Sequence, residues 1–278
     1  MASQTCYRHT TRVTGASCTR CSRPICPDCM IEAPVGHHCP TCVHEAGPEV
    51  RKAKKVVFAR GGITVAGGVV CTALVVVNVV VFLLDASQPT LFARFADNAL
   101  LVARNGEYYR MVTAAFFHAG LLHLAFNMFG LYLFGSQVEA VVGLPRFSTL
   151  YGLAAVGGSA CSHFFGPPFQ YSIGASGAVF GIFGAYFVIA RSRGMDVSQV
   201  GGLILINLFI GAVVPQIDNA AHVGGLLTGA ALAAVHEWSG RQRGSIRYAA
   251  EAAGLLAVAA VIVVATLVRR HQLQNVFA

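Results

Sequence analysis

The chain has 278 residues, of which 55% are hydrophobic and only 12% are charged, about half the charged fraction of ordinary soluble domains. Its mean hydropathy is +0.61, which excludes a purely soluble fold and predicts that most of the chain lies in a lipid bilayer. The net charge of +8 is expected to set topology rather than to bind nucleic acid, because the basic residues fall mainly between apolar runs.

The first 47 residues are predicted to form a separate zinc-binding module. Seven of the nine cysteines lie within the first 42 residues. Together with one histidine they make four pairs with two-residue spacing, a ligand set for two tetrahedral zinc ions. A segment so short and so poor in large apolar residues needs metal binding to supply folding energy. The predicted ligands are Cys6, His9, Cys18, Cys21, Cys26, Cys29, Cys39 and Cys42.

Two pairings of these ligands are open. We favour an interleaved order, in which the first and third pairs share one ion and the second and fourth share the other, over a sequential order. His37 or His38 could replace a late cysteine, although the regular spacing favours the cysteines. The alternative chemistry is a disulfide framework, which requires an oxidising compartment. The interleaved order resembles the cross-braced B-box zinc fingers. With every ligand position filled, we expect a structural head that docks a protein partner or regulates the chain.

Residues 48–60 form a linker with five Lys and Arg residues, which we interpret as a topology signal rather than a specific lipid site. We expect no cleavable signal peptide, because the N-terminus is polar and rich in cysteine. Apolar runs after the linker predict seven membrane helices and therefore an all-α polytopic fold. The connection at 85–109 is expected to lie in the membrane interface. The predicted helices are 61–84, 120–138, 147–165, 176–190, 200–214, 220–235 and 252–268.

Charge sets the predicted orientation. With seven helices, the linker and the arginines that follow the second, fourth and sixth helices fall on one side, which the positive-inside rule makes cytosolic. Arg269 and Arg270 fall on the other side and weaken the pattern slightly. We therefore expect a multi-pass protein of the plasma membrane with a cytosolic head and an extracytoplasmic C-terminus. The second, fourth and sixth helices then begin near the outer surface.

Four polar side chains share that outer layer of the membrane. Ser176 begins the fourth helix and His222 the sixth, while His123 and Asn127 lie one turn apart on the second. A lone serine among glycines more often serves packing, and a lone membrane histidine is more often structural. Polar groups inside a membrane are nevertheless costly and usually functional, and these four converge at one depth. We predict Ser176 as a nucleophile and His222 as its general base.

The same layer offers donors for an oxyanion. The imidazole of His123, the amide of Asn127 and the backbone N–H of Ser176 at a helix N-terminus suit a tetrahedral intermediate. The fourth and sixth predicted helices hold no Asp or Glu, so a Ser–His dyad is expected. His222 would then be oriented by packing, with Phe180 offering a ring face one turn after the serine.

At these residues the chain resembles the rhomboid intramembrane serine proteases. The resemblance covers about residues 60–240 and implies a six-helix core that opens to water from the outer side. The head and the seventh helix, within 241–278, lie outside that core. The matching motifs are Tyr109-Arg110, His118, His123-x3-Asn127, Glu139-x3-Gly143-x2-Arg146, Gly174-Ala175-Ser176-Gly177 and His222-x2-Gly225-x3-Gly229.

The resemblance also implies roles around the dyad. His118 supports the oxyanion hole, and Glu139 and Arg146 hold the cytosolic helix ends. The fifth helix becomes a lateral gate for a substrate helix, and the long first loop lies in the outer leaflet. Phe180 and Tyr109 stand where the family often has Tyr and Trp, and both keep an aromatic ring. Close packing of the fourth and sixth helices is implied by Gly174, Gly177, Gly225 and Gly229.

The expected activity is cleavage of transmembrane protein substrates near their extracytoplasmic end, through an acyl-enzyme and without a cofactor for the chemistry. One alternative is a catalytically silent family member that binds membrane helices, which the presence of both Ser176 and His222 disfavours. A second alternative is a transporter that uses His123, Asn127 and His222 as a relay. It is disfavoured because the polar residues concentrate at one depth and intramembrane carboxylates are nearly lacking.

Overall fold

The computed structural model describes residues 4–33, 36–45, 68–88 and 90–276. The chain divides into two compact units, Met1–Gly62 and Ile63–Ala278. The predicted linker at 48–60, and the first seven residues of the predicted first helix, lie outside the described residues.

The head is built from short elements around its cysteines. Among the described residues of the head, six cysteines are buried, and Ile25 is the one other buried apolar residue that packs with them. Sulfur ligands rather than large apolar side chains therefore form the core of this unit. The strands pair as antiparallel hairpins, β1 with β2 and β3 with β4. The elements are β1 (Gln4–Thr5), β2 (Val13–Thr14), a 3-10 turn (Pro27–Cys29), β3 (Ile31–Glu32), β4 (His37–His38) and α1 (Pro40–Glu45).

The second unit is helical apart from one strand pair, β5 (Asp97–Asn98) with β6 (Tyr171–Ser172). This confirms the predicted all-α fold. A π-helical stretch, Leu131–Gly135, joins the helix Leu121–Gly130 to the helix Ser136–Val142. The helices are α2 (Val69–Ser87), α3 (Thr90–Phe95), α4 (Ala99–Asn105), α5 (Arg110–Thr113), α6 (Leu121–Gly130), α7 (Ser136–Val142), α8 (Leu144–Phe165), α9 (Ser176–Ser192), α10 (Ser198–Val213), α11 (Asn219–Gly240) and α12 (Ser245–Val276).

Each of the seven predicted spans corresponds to helical structure. Among the described residues, three stretches are long and apolar enough to cross a membrane, namely Val69–Ser87, Leu121–Val142 and Ser245–Val276. α9 and α10 are apolar but have only 17 and 16 residues, which is at or below the usual spanning length. α12 extends well beyond the predicted 252–268 at both ends, where polar side chains gain partners in the folded chain.

Glycines allow α9 and α11 to touch backbone to backbone. A Cβ added at Gly225 would lie 1.9 Å from the carbonyl oxygen of Gly177, and one at Gly229 would lie 1.9 Å from that of Gly181. The two contacts advance in the same direction, so the two helices run parallel. α8 joins them through Gly158, where an added Cβ would lie 2.9 Å from a backbone oxygen of α11. Small residues thus bring three helices into one closely packed core.

Two charged residues hold helix ends. The Glu139 carboxylate accepts the backbone N–H groups of Val70 (3.1 Å) and Cys71 (2.8 Å) and so caps the N-terminus of α2. Arg146 donates two hydrogen bonds to Glu251, at 2.5 and 2.6 Å, which ties the start of α8 to α12.

The connection between α2 and α6 is folded rather than extended. Arg110 is buried and donates to the carbonyl oxygens of Ala93 (3.1 Å) and Ala96 (2.8 Å), while it also pairs with Glu107. Hydrogen bonds from Asn105 and Arg110 hold the pKa of the Glu107 carboxyl below its usual value. One guanidinium therefore closes this loop on itself.

The last turns of α12 fasten the same connection. Leu273 is buried against Ala99 and Ala103 of α4, and Gln274 donates to the carbonyl oxygen of Ala103 at 2.9 Å. Arg269 donates to a carbonyl oxygen near the end of α8 at 2.7 Å. The seventh membrane helix therefore joins the first loop to the helical core, a role that its sequence does not reveal.

Candidate active site

Ser176 is the first residue of α9, and a glycine turn brings the chain to it. Gly174 has a φ of 120°, which favours a residue without a Cβ. A Cβ at this position would lie 2.7 Å from the His123 ring and 3.7 Å from the Ser176 hydroxyl oxygen. Glycine is therefore needed for both the backbone angle and the space. The Ser176 hydroxyl and the His123 ring therefore both lie close to Gly174.

His222 lies in the first turn of α11, on the helix that contacts α9. Its ring stacks on Phe180, with centroids 4.2 Å apart and planes inclined by 9°. Phe180 is one turn after Ser176, so the ring face expected from the sequence is present. The Nδ1 atom of His222 is buried and has no hydrogen-bond partner among the described residues. Packing therefore orients this imidazole.

His118 and His123 lie next to the serine turn, and Asn127 lies one turn after His123 on α6. The Nε2 atom of His118 accepts the backbone N–H of Ala175 at 3.5 Å, and its ring meets that of His123 edge to face, 5.0 Å between centroids. The Asn127 amide donates to the His123 carbonyl oxygen at 2.9 Å. An amide has two N–H donors, so this bond within the helix leaves one for another acceptor.

A cavity of about 20 Å³ borders Ser176, which is room for about one water molecule. Small residues such as Gly158 and Ala178 form much of its wall, and Asp97, Ser159 and Ser172 give it polar groups. The cavity therefore offers a place for a water molecule beside the serine.

Asp218 is a residue that the sequence analysis missed. It is the N-cap of α11, and its Oδ1 atom accepts the backbone N–H of Ala221 at 3.0 Å. Its Oδ2 atom accepts hydrogen bonds from Ser172 at 2.6 Å and from Ser162. Its carboxylate therefore lies one turn before His222. The predicted sixth helix began at 220, which left this aspartate outside. The available signal was an aspartate directly before a helix start.

A buried Asp97–His163 pair was also missed. The Nε2 atom of His163 lies 2.9 Å from both carboxylate oxygens of Asp97, and the two side chains are 1% and 5% exposed. The pair joins β5 to the end of α8, beside the cavity. These residues are 66 apart, and no local pattern links them.

The head gathers the eight predicted ligands into two groups in the interleaved order. Within each group the ligand atoms lie within 4.8 Å of one another. His37 and His38 form β4 and belong to neither group. Four sulfur or nitrogen atoms around one point fit tetrahedral zinc. The groups are Cys6, His9, Cys26 and Cys29, and Cys18, Cys21, Cys39 and Cys42.

In the second group the thiol of Cys18 has a lowered pKa, whereas hydrogen bonding with Cys21 and burial raise the pKa of Cys42 to about 12. Burial opposes ionisation of Cys18, but hydrogen bonds from backbone N–H groups, first that of Cys39, outweigh it and lower the pKa of the thiol to about 6. The thiolate is the form that binds metal. All nine cysteines lie within the described residues, and none of them is paired in a disulfide.

Comparison with known proteins gives one consistent family. The family model described as "Rhomboid domain" matches residues 105–238. "Rhomboid protease GluP" of Bacillus subtilis (strain 168) is 40% identical over 150 residues, which is 52% of this chain and 29% of that protein. "RHOMBOID-like protein 6, mitochondrial" of Arabidopsis thaliana is 37% identical over 204 residues, which is 66% of each chain.

A third relative is matched over most of its length. "Putative rhomboid protease YdcA" of Bacillus subtilis (strain 168) is 31% identical over 153 residues, which is 53% of this chain and 77% of that protein. By contrast, the chain spans less than two thirds of the length of the two relatives described before it.

Proposed function

The chain belongs to the rhomboid family of membrane proteins, and from this membership we propose that it is an intramembrane serine endopeptidase with a Ser176–His222 dyad. The main support is the parallel contact of α9 and α11, whose first turns carry these two residues. The named proteases among the relatives support protease activity for the family.

The proposed reaction begins with attack of the Ser176 hydroxyl on the carbonyl carbon of the scissile bond. His222 accepts the hydroxyl proton and then gives it to the leaving amine as the C–N bond breaks. The resulting acyl-enzyme is hydrolysed by water, which loses its proton to His222 and restores the free serine. Phe180 keeps the imidazole in place, since the two rings are stacked at 4.2 Å.

The oxyanion of each tetrahedral intermediate needs donors that are already positioned. The Ser176 backbone N–H at the start of α9, the His123 ring and the second N–H of Asn127 are the proposed donors. The proposed role of His118 is to hold these donors in position, because it contacts both the Ala175 N–H and the His123 ring.

The proposed substrate is a transmembrane segment of another protein, cut near its extracytoplasmic end in the plasma membrane. The dyad lies at the N-terminal ends of α9 and α11, which the positive-inside rule puts near the outer surface. A helix hides its own peptide carbonyls in hydrogen bonds, so the substrate must unwind locally before Ser176 can attack. The proposed role of α10 is that of a lateral gate.

For the head we propose two structural zinc ions, held by the two groups of Cys and His ligands. Zinc would supply folding energy and cross-brace a unit that has almost no apolar core. All four positions of each ion would be filled by the protein, so the metal would take no part in peptide hydrolysis. The head is proposed to face the cytosol and to dock a protein partner.

Cleavage of a single-span substrate in liposomes tests the proposed activity, together with fluorophosphonate labelling of the serine. Ser176→Ala and His222→Ala should each lower the cleavage rate by on the order of 10⁴-fold or more. The matched controls are Ser148→Ala, whose hydroxyl bonds only within α8, and His271→Ala, an exposed residue. A folded wild type that neither cuts nor labels would favour the alternative of a silent helix-binding protein.

A further inference from the structure

The carboxylate of Asp218 joins three separate parts of the fold. Its Oδ1 atom accepts the Ala221 N–H at the start of α11. Its Oδ2 atom accepts hydrogen bonds from Ser162, near the end of α8, and from Ser172 in β6. One side chain thus fastens the end of α8, the segment before the proposed nucleophile and the helix of the proposed base.

We call the hydrogen bonds of the Asp218 carboxylate to Ala221, Ser162 and Ser172 the Asp218 junction. The junction lies close in sequence to both residues of the proposed dyad. Ser172 precedes Ser176 by four residues, and the chain between them turns at Gly174. Asp218 precedes His222 by four residues, and its carbonyl oxygen accepts the His222 N–H at 3.3 Å. The carboxylate therefore links two chain positions that each precede a proposed reacting group by four residues.

The other attachments of the segment before the serine run to residues between α2 and α6. β6 pairs with β5 over two residues, and the Gly174 N–H donates to the Ala114 carbonyl oxygen at 3.0 Å. The Ser172 hydroxyl adds a side-chain link from this segment to α11. Without that link, the serine turn and α11 would still pack, and their relative register would depend on the glycine contacts and on the stacked Phe180 and His222 rings.

We infer that Asp218 is a positioning residue for the proposed protease, holding the Ser176 turn in register with the helix of His222; this rests on the proposed function. It acts through Ser172 and Ser162 and does not touch the substrate. Since a misplacement of about 1 Å can cost about 10²-fold in rate, loss of this junction should lower kcat and leave KM little changed.

A plain helix cap is the competing explanation, and two substitutions separate it from the junction. Serine is as good an N-cap as aspartate but is too short to span Ser162 and Ser172, so Asp218→Ser keeps the cap and removes the junction. Asparagine caps equally well and its amide group can still bond both hydroxyls. Asp218→Asn should therefore retain most of the activity.

The chain offers a matched control in Asp196, which precedes α10. Its carboxylate accepts the Ser198 N–H at 2.9 Å and the Ser198 hydroxyl at 3.0 Å, and these bonds hold the pKa of the Asp196 carboxyl below its usual value. Like Asp218, it is a carboxylate that accepts a backbone N–H and a serine hydroxyl near the start of a helix. Asp196→Ser should leave kcat and the labelling rate unchanged.

The experiment measures kcat and KM for a liposome substrate, the fluorophosphonate labelling rate, and hydrogen exchange of the peptide at 170–176. For Asp218→Ser we expect kcat and labelling to fall about 30- to 100-fold with KM unchanged, and exchange at 170–176 to rise about tenfold or more. Equal kcat for the Ser, Asn and wild-type proteins, or a loss in Asp218→Asn as large as in Asp218→Ser, would overturn the inference.

Failure of the proposed function gives a different result. A folded wild type without cleavage or labelling refutes the protease, and hydrogen exchange then decides the junction by itself. Faster exchange at 170–176 in Asp218→Ser, but not in Asp196→Ser, would still support the anchoring of this segment. Unchanged exchange would overturn the anchoring as well.

Discussion

The contact between Gly225 and Gly177 offers a direct test of how the site is assembled. In Gly225→Ala the new Cβ would start 1.9 Å from the Gly177 carbonyl oxygen, whereas real Cβ atoms essentially never come within 3.0 Å of another heavy atom. The obstacle is backbone, which cannot rotate away, so α9 and α11 must separate by about 1 Å. Overpacking of this kind costs about 1–3 kcal/mol of stability.

The separation occurs within one turn of both Ser176 and His222, so activity should suffer more than stability. A misplacement of about 1 Å predicts a loss of about 10²-fold in kcat in protein that is still folded. The assay is the rate of fluorophosphonate labelling and of substrate cleavage, normalised to folded protein from a thermal melt in detergent. Gly229→Ala meets the same 1.9 Å clash, with Gly181, one turn further from the site.

Gly152→Ala provides the control for glycine replacement in a packed helix. An added Cβ there meets nothing within 4 Å, and alanine favours a helix interior by about 0.5–1 kcal/mol. We expect unchanged activity and equal or higher thermal stability. Wild-type rates and melting temperature in Gly225→Ala would refute the argument that this backbone contact sets the geometry of the dyad.

Three further predictions concern separate parts of the molecule. Phe180→Leu removes the ring under His222 and should slow labelling about tenfold, whereas Phe180→Tyr should label at the wild-type rate; equal rates for both would refute the stacking role. Leu273→Ala should cost about 2–5 kcal/mol and speed proteolysis of the first loop, while the exposed Val276→Ala should change neither. A strong chelator should release about two zinc ions per chain and unfold the head, which a metal-binding dye and circular dichroism would measure. Labelling of Ser176 should keep its rate. A labelling rate that falls with zinc loss would contradict a purely structural role of the metal.

The ends of the helices show how far local patterns reach. α9 begins at Ser176, as predicted, because an uninterrupted apolar run starts there. α12 extends past its predicted ends because Glu251 finds Arg146, and Arg269 finds a backbone carbonyl of α8. The local sequence of a helix does not reveal such partners, so its polar ends are predicted as loop.

In the candidate site, too, local sequence patterns predict some residues, whereas contacts between distant residues are not predicted. The sequence alone identifies the serine and histidine motifs, the glycines beside them and the paired metal ligands, because each is a spacing of a few residues along the chain. It predicts no acidic residue near His222, yet Asp218 lies one turn away, bonded to serines 46 and 56 residues distant.

The sequence by itself therefore determined the chemical groups, the membrane helices and the family resemblance. Only the tertiary structure decided which groups meet: the partners of Asp218, the buried Asp97–His163 pair, the backbone contact of α9 with α11, and the attachment of the first loop to α12. Hydrophobic periodicity and ligand spacing are properties of neighbouring residues. The partners of a buried carboxylate depend instead on which distant segments helix packing brings together, and small residues set those distances to within about 1 Å.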